Sequence, residues 1–436
     1  MLEKISIQRF KSIREKELTL GRINIFVGPN GAGKSNFLEA IGLASACFSK
    51  GLDNPELARK GIRQSPPALI KSAHKGLRIP QTLEIKATFS EGIEYKCNLT
   101  ARDGDASLRF HSESSSLNGE SQFGRSGNGD RVHGQKLPRP ADKVRGLWDQ
   151  VKASFPFETK YFDALDEFAD YKIYSPQTDY LRGIRAGQAY EDPVGLHGEG
   201  LAKAVSQVIK QFRGQYNGGD DSPIDPGVVR DITELTLDLA FLPGWTRSFM
   251  VGKIDQKLVS QSIDQSAGAI LYFYDRYMED KRNTLSAYDS SEGTLFLLFM
   301  AVIMCHASAP RIFAVDNIDS ALNPKLTCTL IEALVSLTKT VNAEALPVGA
   351  RQVFMTSHNP TSIDAFDIFD DDQRVFVVYR DKKGHSQCDR LAPAKGMTRE
   401  QWAEKTKGRT LSQLWVADQI PHINGIKESK LNKVEM

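Results

Sequence analysis

The chain has 436 residues, 40% apolar and 25% charged, the balance of an ordinary globular protein with room for two or three lobes or one large head with an insertion. A formal charge of only +2 excludes a strong global attraction to nucleic acid or anionic membrane, so either would need a local patch. Five scattered cysteines (Cys47, Cys97, Cys305, Cys328, Cys388), with no CxxC pair, exclude a disulfide framework and a structural zinc site and suit a reducing cytosol. A cytoplasmic location is expected.

The first ten residues, MLEKISIQRF, are strand-like and charged and lack the apolar run of a signal peptide. Ile5 and Ile7, then Leu18 and Leu20, alternate with polar residues and predict an antiparallel strand pair. Ile23 to Val27 (INIFV) is a short apolar run consistent with a buried central strand. Then comes GPNGAGKS at residues 28–35, and a helix is expected from near Lys34, with Phe37, Leu38, Ile41 and Ala44 on one face.

Residues 50–78 hold seven Lys or Arg against two acids. They read either as a solvated surface or as a contact for nucleic acid or a partner. Alternation around Ser90-Glu91-Gly92 predicts a hairpin over Thr82 to Thr100. Residues 112–140, rich in Ser, Gly and Asn, are expected to form a flexible surface loop. Residues 141–285 read as mostly helical with polar loops and without a sustained heptad repeat. Leu295 to Cys305 (LFLLFMAVIMC) is about half the length that crosses a bilayer and reads as a buried core helix, so no membrane contact is expected. Strands are expected at Arg311 to Val315, Gln352 to Thr356 and Arg374 to Tyr379, in the αβαβ order of a parallel, helix-covered sheet.

The pattern G-x-x-x-x-G-K-S is met by Gly28, Gly33, Lys34 and Ser35, after a strand and opening a helix, which is the context that separates a P-loop from a chance glycine turn. Glycines let backbone N–H groups curl around phosphates. Lys34 places a cation at the β/γ-phosphates, the Ser35 hydroxyl can ligate Mg²⁺, and the helix N-terminus favours an anion. The cradle is expected to comprise Gly28, Pro29, Asn30, Gly31, Ala32, Gly33, Lys34, Ser35 and Asn36, with ATP and Mg²⁺ as cofactors. The apolar strand ending in Asp316 has the form of a Walker B segment, whose acid reaches Mg²⁺ through water. A plain helix cap is the alternative.

In order and wording these segments resemble the SMC/RecF/OLD group of ABC-class ATPases. The P-loop reads GPNGAGKSNFLEA, including Asn36, Leu38 and Glu39. Ser291-Glu292-Gly293-Thr294, followed by an apolar helix, is similar to the group's signature; Asp316 to Pro324 is similar to its D-E-P-E-x-x-L-H-P segment; Thr356-Ser357-His358-Asn359-Pro360 is similar to its switch segment. The resemblance covers about 1–100 and 285–420. It implies an α/β fold: an ABC-class ATPase head with a P-loop, a mixed or parallel core sheet and an antiparallel β lobe, carrying a mostly helical insertion. The expected layout is 1–110 and 286–422 as the two halves of the head, 111–140 a flexible loop, 141–285 the insertion and 423–436 a tail.

It further implies that two heads sandwich two ATPs. Ser291 and Gly293 would touch the γ-phosphate of the partner head, Leu322 to Pro324 would cross the interface, and His358 would sense the γ-phosphate. A core histidine and an ordinary helix N-cap are the plain alternatives at His358 and Ser291. One departure stands out: the group's catalytic glutamate is Asn317 here, and an amide can orient water but cannot accept its proton. Asp319 is the nearest spare carboxylate, and Gln64 is the candidate for the Q-loop glutamine. Slow hydrolysis is expected.

The group also contains standalone ATPase subunits of anti-phage systems such as Septu and PARIS. By that analogy the expected partners are a second copy, as a homodimer or higher homo-oligomer, and a separate nuclease or toxin effector. Val375 to Ile420 reads as the end of the head, leaving no room for an appended nuclease. Two alternatives stay open: a RecF-like repair ATPase that holds DNA itself, and a non-hydrolysing ATP-dependent scaffold. The acidic run Asp364, Asp367, Asp370, Asp371 and Asp372 is expected to be solvated surface.

Overall fold

The computed structural model describes residues 1–184, 193–212, 233, 234, 236–259, 269–344, 346 and 348–424. The chain divides into two compact units, Met1–Tyr171 with Phe354–Met436, and Lys172–Val353.

The first unit opens with β1 (Leu2–Phe10) and β2 (Ile13–Thr19), the expected antiparallel pair. Strand β3 (Ile23–Val27) is buried throughout and feeds α1 (Lys34–Ala46) and the short α2 (Asn54–Arg59). The expected hairpin is β4 (Thr82–Phe89) and β5 (Ile93–Thr100), paired from Thr82↔Thr100 to Phe89↔Ile93. Residues 112–140 do not form the expected flexible loop. They build β6 (Arg109–Leu117), β7 (Glu120–Ser126), β8 (Gly129–Val132) and β9 (Gln135–Lys136), which extend an eight-stranded sheet in the order β2-β1-β4-β5-β6-β7-β8-β9.

The physical reason is polar pairing in place of apolar alternation. Glu113, Ser115, Arg125 and Asp130 are all buried. Glu113 accepts from the Tyr95 hydroxyl at 3.0 Å and from the Leu147 N–H, and its carboxylate lies 3.4 Å from Arg125 Nε; Tyr161 donates to Ser115 at 2.6 Å. Helices α3 (Leu147–Val151) and α4 (Thr159–Ala169) cover this face, with the Trp148 ring 6.1 Å from that of Phe123.

The second unit holds β10 (Lys172–Tyr174), α5 (Thr178–Leu181), α6 (Leu201–Phe212), β11 (Thr246–Gly252), β12 (Ile270–Asp275), β13 (Thr284–Ser286), α7 (Glu292–Cys305), β14 (Ile312–Val315) and α8 (Pro324–Ala343). The reading of 141–285 as mostly helical is therefore corrected in its later part: β11, β12 and β13 form an antiparallel three-stranded sheet. None shows a clean alternation: β12 (ILYFYD) is buried at four successive positions, β11 (TRSFMVG) is half-exposed and β13 has three residues. The polar stretch 214–227 lies outside the described residues. Helix α7 is buried at every position from Gly293 to Cys305, as its uniform apolarity demands. Strand β10 runs parallel to β14. No helix among the described residues is long and apolar enough to cross a membrane.

The chain passes from the second unit to the first inside β15 (Gln352–Ser357), which neighbours β3. Strand β16 (Gln373–Arg380) lies parallel to β3 on its other side, and β17 (Ser386–Leu391) closes the edge antiparallel to β16. Helices α9 (Arg399–Thr406) and α10 (Leu411–Val416) follow, each opened by a capping box, at Thr398/Gln401 and Thr410/Gln413. Phe26 of β3 stacks on Phe37 of α1 and Phe376 of β16, at 5.6 and 5.1 Å between centroids, and so fixes the strand-to-helix turn that carries the P-loop.

Candidate nucleotide site

The P-loop occupies the turn between β3 and α1. Two of its glycines are required by space as well as by conformation. Gly28 has φ 140°, and a Cβ there would come within 2.1 Å of the Val378 carbonyl oxygen; Gly33 has φ 104°, and its Cβ would meet Ser386 Oγ at 2.3 Å. The cradle is thus pressed against β16 and β17. Lys34 is buried and its ammonium donates to the carbonyl oxygens of Gly28 at 2.9 Å and Pro29 at 3.2 Å. Helix α1 has no acidic residue in its first turn, and the opening turn of a helix presents N–H groups with no intrahelical acceptor. A polyphosphate fits this donor set.

Around the loop lies a layer of side chains that the motif does not contain. Asn36 donates to Ser12 Oγ at 2.6 Å and accepts from Arg63 Nη2 at 2.7 Å. Glu39 is buried and holds both Lys11 and Arg63 in ion pairs. Ser386 donates to the Ala32 carbonyl at 2.6 Å, and Arg380 to the Gly31 carbonyl at 3.1 Å. The P-loop motif does not single out Lys11, Ser12, Arg63, Arg380 and Ser386, because each comes from a segment outside the loop, Arg63 from the basic stretch 50–78. The signal that pointed to them was the presence of Asn36 and Glu39 inside the motif, two polar residues on a helix face that must be buried.

His358 stands exposed directly after β15, in the same unit as the P-loop and on the strand next to β3. Its neighbours are committed to a local cap: Asn359 accepts from the Thr361 N–H at 3.1 Å, and Ser357 Oγ accepts from the Asn359 N–H at 3.0 Å. Gln64 is exposed.

The remaining site residues belong to the second unit. Asp316 follows the fully buried β14, and its N–H donates to the Tyr174 carbonyl at 2.8 Å. Asn317 has φ 58°, in the left-handed region where Asn is the best tolerated of the non-glycine residues. Its carbonyl accepts from the Ser320 N–H at 3.0 Å, which closes the turn, and Asp319 within it is buried. Asn323 caps α8 by accepting from the Leu326 N–H at 3.0 Å.

Ser291 occupies the N-cap position of α7, yet its side chain makes no cap hydrogen bond and is exposed. The helix start is held by others: Trp245 Nε1 donates to Thr294 Oγ1 at 2.8 Å, and Thr178 donates to Glu292. A Cβ on Gly293 would lie 3.1 Å from the Ala321 carbonyl oxygen and 3.4 Å from Leu322 Cδ2. The signature helix and the 316–324 loop are therefore in close contact at Gly293. The structure brings together the P-loop, Lys34 and His358 in one unit, and Ser291, Gly293, Asp316 and Asn317 in the other.

The acidic run past His358 is spent on surface pairing, as expected. Asp367 takes both arms of Arg399 at 2.9 and 2.6 Å, Asp371 pairs with Arg374 and Arg390, Asp372 pairs with Arg22, and Asp364 accepts from the Ser412 N–H. Among the described residues, no group of three or more metal-ligating side chains converges.

A family model described as "AAA domain, putative AbiEii toxin, Type IV TA system" matches residues 23–364, from β3 through the switch segment. The chain belongs to the AAA_21 family. Its α/β architecture, with a P-loop between β3 and α1, is that of a P-loop ATPase domain. Over 43 residues, 10% of its length, it is 51% identical to the DNA replication and repair protein RecF of Magnetococcus marinus, a match that spans 11% of that relative.

Similar solved structures include the SMC head domain from Thermotoga maritima (15% identity, 90% of this chain and 99% of that one, TM-score 0.42). A second is the Smc head domain of Pyrococcus furiosus bound to the C-terminal domain of ScpA (12%, 93% and 99%, 0.47). A third is the recombination mediator RecF (14%, 90% and 98%, 0.33).

Proposed function

We propose that this AAA_21 protein is an ATP-driven switch subunit: two copies pair around ATP and Mg²⁺, and the paired state controls a separate effector, a nuclease or toxin, in anti-phage defence. The observation that carries the pairing is Ser291, an exposed hydroxyl at the start of a 14-residue buried helix, not used for capping. Beside it, Gly293 lets the 316–324 loop approach closely. A hydroxyl and a helix N-terminus together make a donor set for a phosphate brought by another molecule.

In the first unit, Lys34 and the P-loop amides would hold the β/γ-phosphates, with Ser35 on Mg²⁺ and His358 as the γ-phosphate sensor; Asp316 is the second unit's candidate Mg²⁺ ligand. ATP, when bound, supplies the phosphoanhydride bond whose γ-phosphoryl goes to water. Asn317 orients that water without taking its proton, so turnover is slow and the paired state long-lived. A role in defence is supported by the family's description as a putative toxin of a type IV toxin–antitoxin system, and a separate effector by the likeness of the motifs to standalone defence ATPases. A RecF-like reading, in which the chain holds DNA itself, is favoured by the 51% identical segment shared with RecF.

Sedimentation velocity with a non-hydrolysable ATP analogue tests the pairing. The wild type should shift to a dimer or larger species, and Ser291→Arg should bind the analogue yet remain monomeric. Equal association by both proteins refutes the sandwich. For the effector, the purified chain should cut neither DNA nor RNA with Mg²⁺, Mn²⁺ or ATP; cleavage that is lost in Lys34→Ala would overturn the two-component reading.

A further inference from the structure

The first unit contains a cavity of about 1460 Å³ that runs from Lys11, Ser12 and Arg380 along the β lobe. Its lining includes six cationic side chains (Lys11, Lys71, Arg102, Arg109, Lys143 and Arg380) against two carboxylates, Asp103 and Asp105. The formal charge of +4, with histidines neutral, exceeds the +2 of the whole chain. These cations are not a run along one segment, which would read as a solvated face. They arrive from five separate stretches and converge in one concavity.

The sheet register explains the convergence. Thr82 pairs with Thr100 and Thr100 with Arg109, so the ends of β4, β5 and β6 form one row across the floor. The Phe110 N–H donates to the Lys143 carbonyl at 2.8 Å, which brings Lys143 beside Arg109. Lys71 is tied to the same edge through the Ala101 carbonyl at 2.6 Å, and Arg380 closes the inner end on the Gly31 carbonyl at 3.1 Å.

The outer cations are exposed and uncommitted. Arg102, Arg109 and Lys143 make no side-chain hydrogen bond or ion pair with any described residue. On the rim stand two exposed apolar side chains, Leu69 at 67% and Ile79 at 58%, while the floor offers neutral hydrogen-bonding groups such as Asn98 and Ser112. Fixed cations for a backbone, apolar surface for unstacked bases and polar groups for base edges are the components of a single-strand track. A duplex keeps its bases stacked and has no use for the apolar rim.

We propose that this groove binds single-stranded nucleic acid along its phosphate backbone, with the bases turned toward Leu69 and Ile79. The site goes beyond the nucleotide-switch reading and does not depend on it. Its inner end rests on the P-loop backbone, so an occupied groove and an occupied P-loop share the Gly31–Arg380 contact.

Fluorescence anisotropy with a labelled single-stranded DNA of about 20 nucleotides, titrated at several salt concentrations, tests it. Parallel titrations use RNA and duplex DNA of the same length and a poly-glutamate peptide, and fluorescent ATP serves as the control. The wild type should bind the single strands most tightly, with strong salt dependence. Arg102→Ala/Arg109→Ala/Lys143→Ala should lose at least tenfold in affinity and flatten the log–log salt slope by about 2, since each lost phosphate contact on a single strand removes about 0.7. The triple variant's affinity for fluorescent ATP should not change, and Arg102→Lys/Arg109→Lys should retain most strand binding. The proposal is overturned if the triple variant binds strands as the wild type does, if the wild type binds none, or if duplex or poly-glutamate binds more tightly.

Discussion

Arg63 donates to the side-chain oxygen of Asn36 at 2.7 Å, and through that bond a residue outside the P-loop helps set the first turn of the helix that begins in it. The same guanidinium pairs with Glu39, which also holds Lys11. Glu39 is buried, so removing Arg63 leaves its charge half-compensated. Arg63→Ala should weaken ATP binding about three- to tenfold, roughly the worth of one ordinary hydrogen bond, while the protein stays folded. Titration with a fluorescent nucleotide measures it; an unchanged affinity means the Arg63–Asn36 bond has no bearing on the cradle.

Asn317 combines two properties in one residue. As an amide it cannot serve as a general base, and at φ 58° it occupies backbone space that most side chains resist. Asn317→Glu should raise steady-state turnover tenfold or more, in line with general-base contributions, and should also cost about 1 kcal/mol of stability from left-handed strain. Phosphate release and thermal melts read the two effects separately. Brisk wild-type turnover that slows in the variant would assign the water-activating role to another group.

The Glu113 carboxyl is pushed by burial from its ordinary 4.5 up to about 7, against the opposing pull of Arg125, the Leu147 N–H and the Tyr95 hydroxyl. A carboxyl whose folded value is raised holds its proton in the native state over about pH 4.5 to 7 while the unfolded chain has lost it. Stability from this group is therefore greatest at the acid side and falls as pH rises through that window. Glu113→Gln should come closest to the wild type near pH 5, where both side chains are neutral, and its melting temperature should change less between pH 5 and 7.5 than that of the wild type. Parallel profiles for the two proteins would contradict the shift.

Much of the fold is legible where burial is apolar and periodic. The β1–β2 pair, β3, α1, the β4–β5 hairpin and α7 follow from alternation or uniform apolarity. The edge of the lobe is not legible, because buried Glu113, Ser115, Arg125 and Asp130, partnered by Tyr95, Tyr161 and backbone groups, stand where a strand would ordinarily show Val or Ile. The motif residues of the site are readable because phosphate chemistry demands a fixed local spacing. Lys11, Ser12, Arg63, Arg380 and Ser386 are not, since only the folded sheet brings the β1–β2 turn, the loop after α2 and the β16–β17 hairpin to the P-loop. The groove is the extreme case: a near-neutral composition conceals a +4 concavity assembled from distant segments.

The account depends most on Lys34, the buried cation that lies on the Gly28 and Pro29 carbonyls at 2.9 and 3.2 Å. Titrating the wild type and Lys34→Ala with fluorescent ATP and Mg²⁺, with thermal melts to confirm that both are folded, tests the nucleotide site directly. The account predicts saturable binding by the wild type and a loss of at least a hundredfold in the variant, as expected for removal of the one lysine the motif aims at the β/γ-phosphates. Equal affinity of the two folded proteins would contradict it.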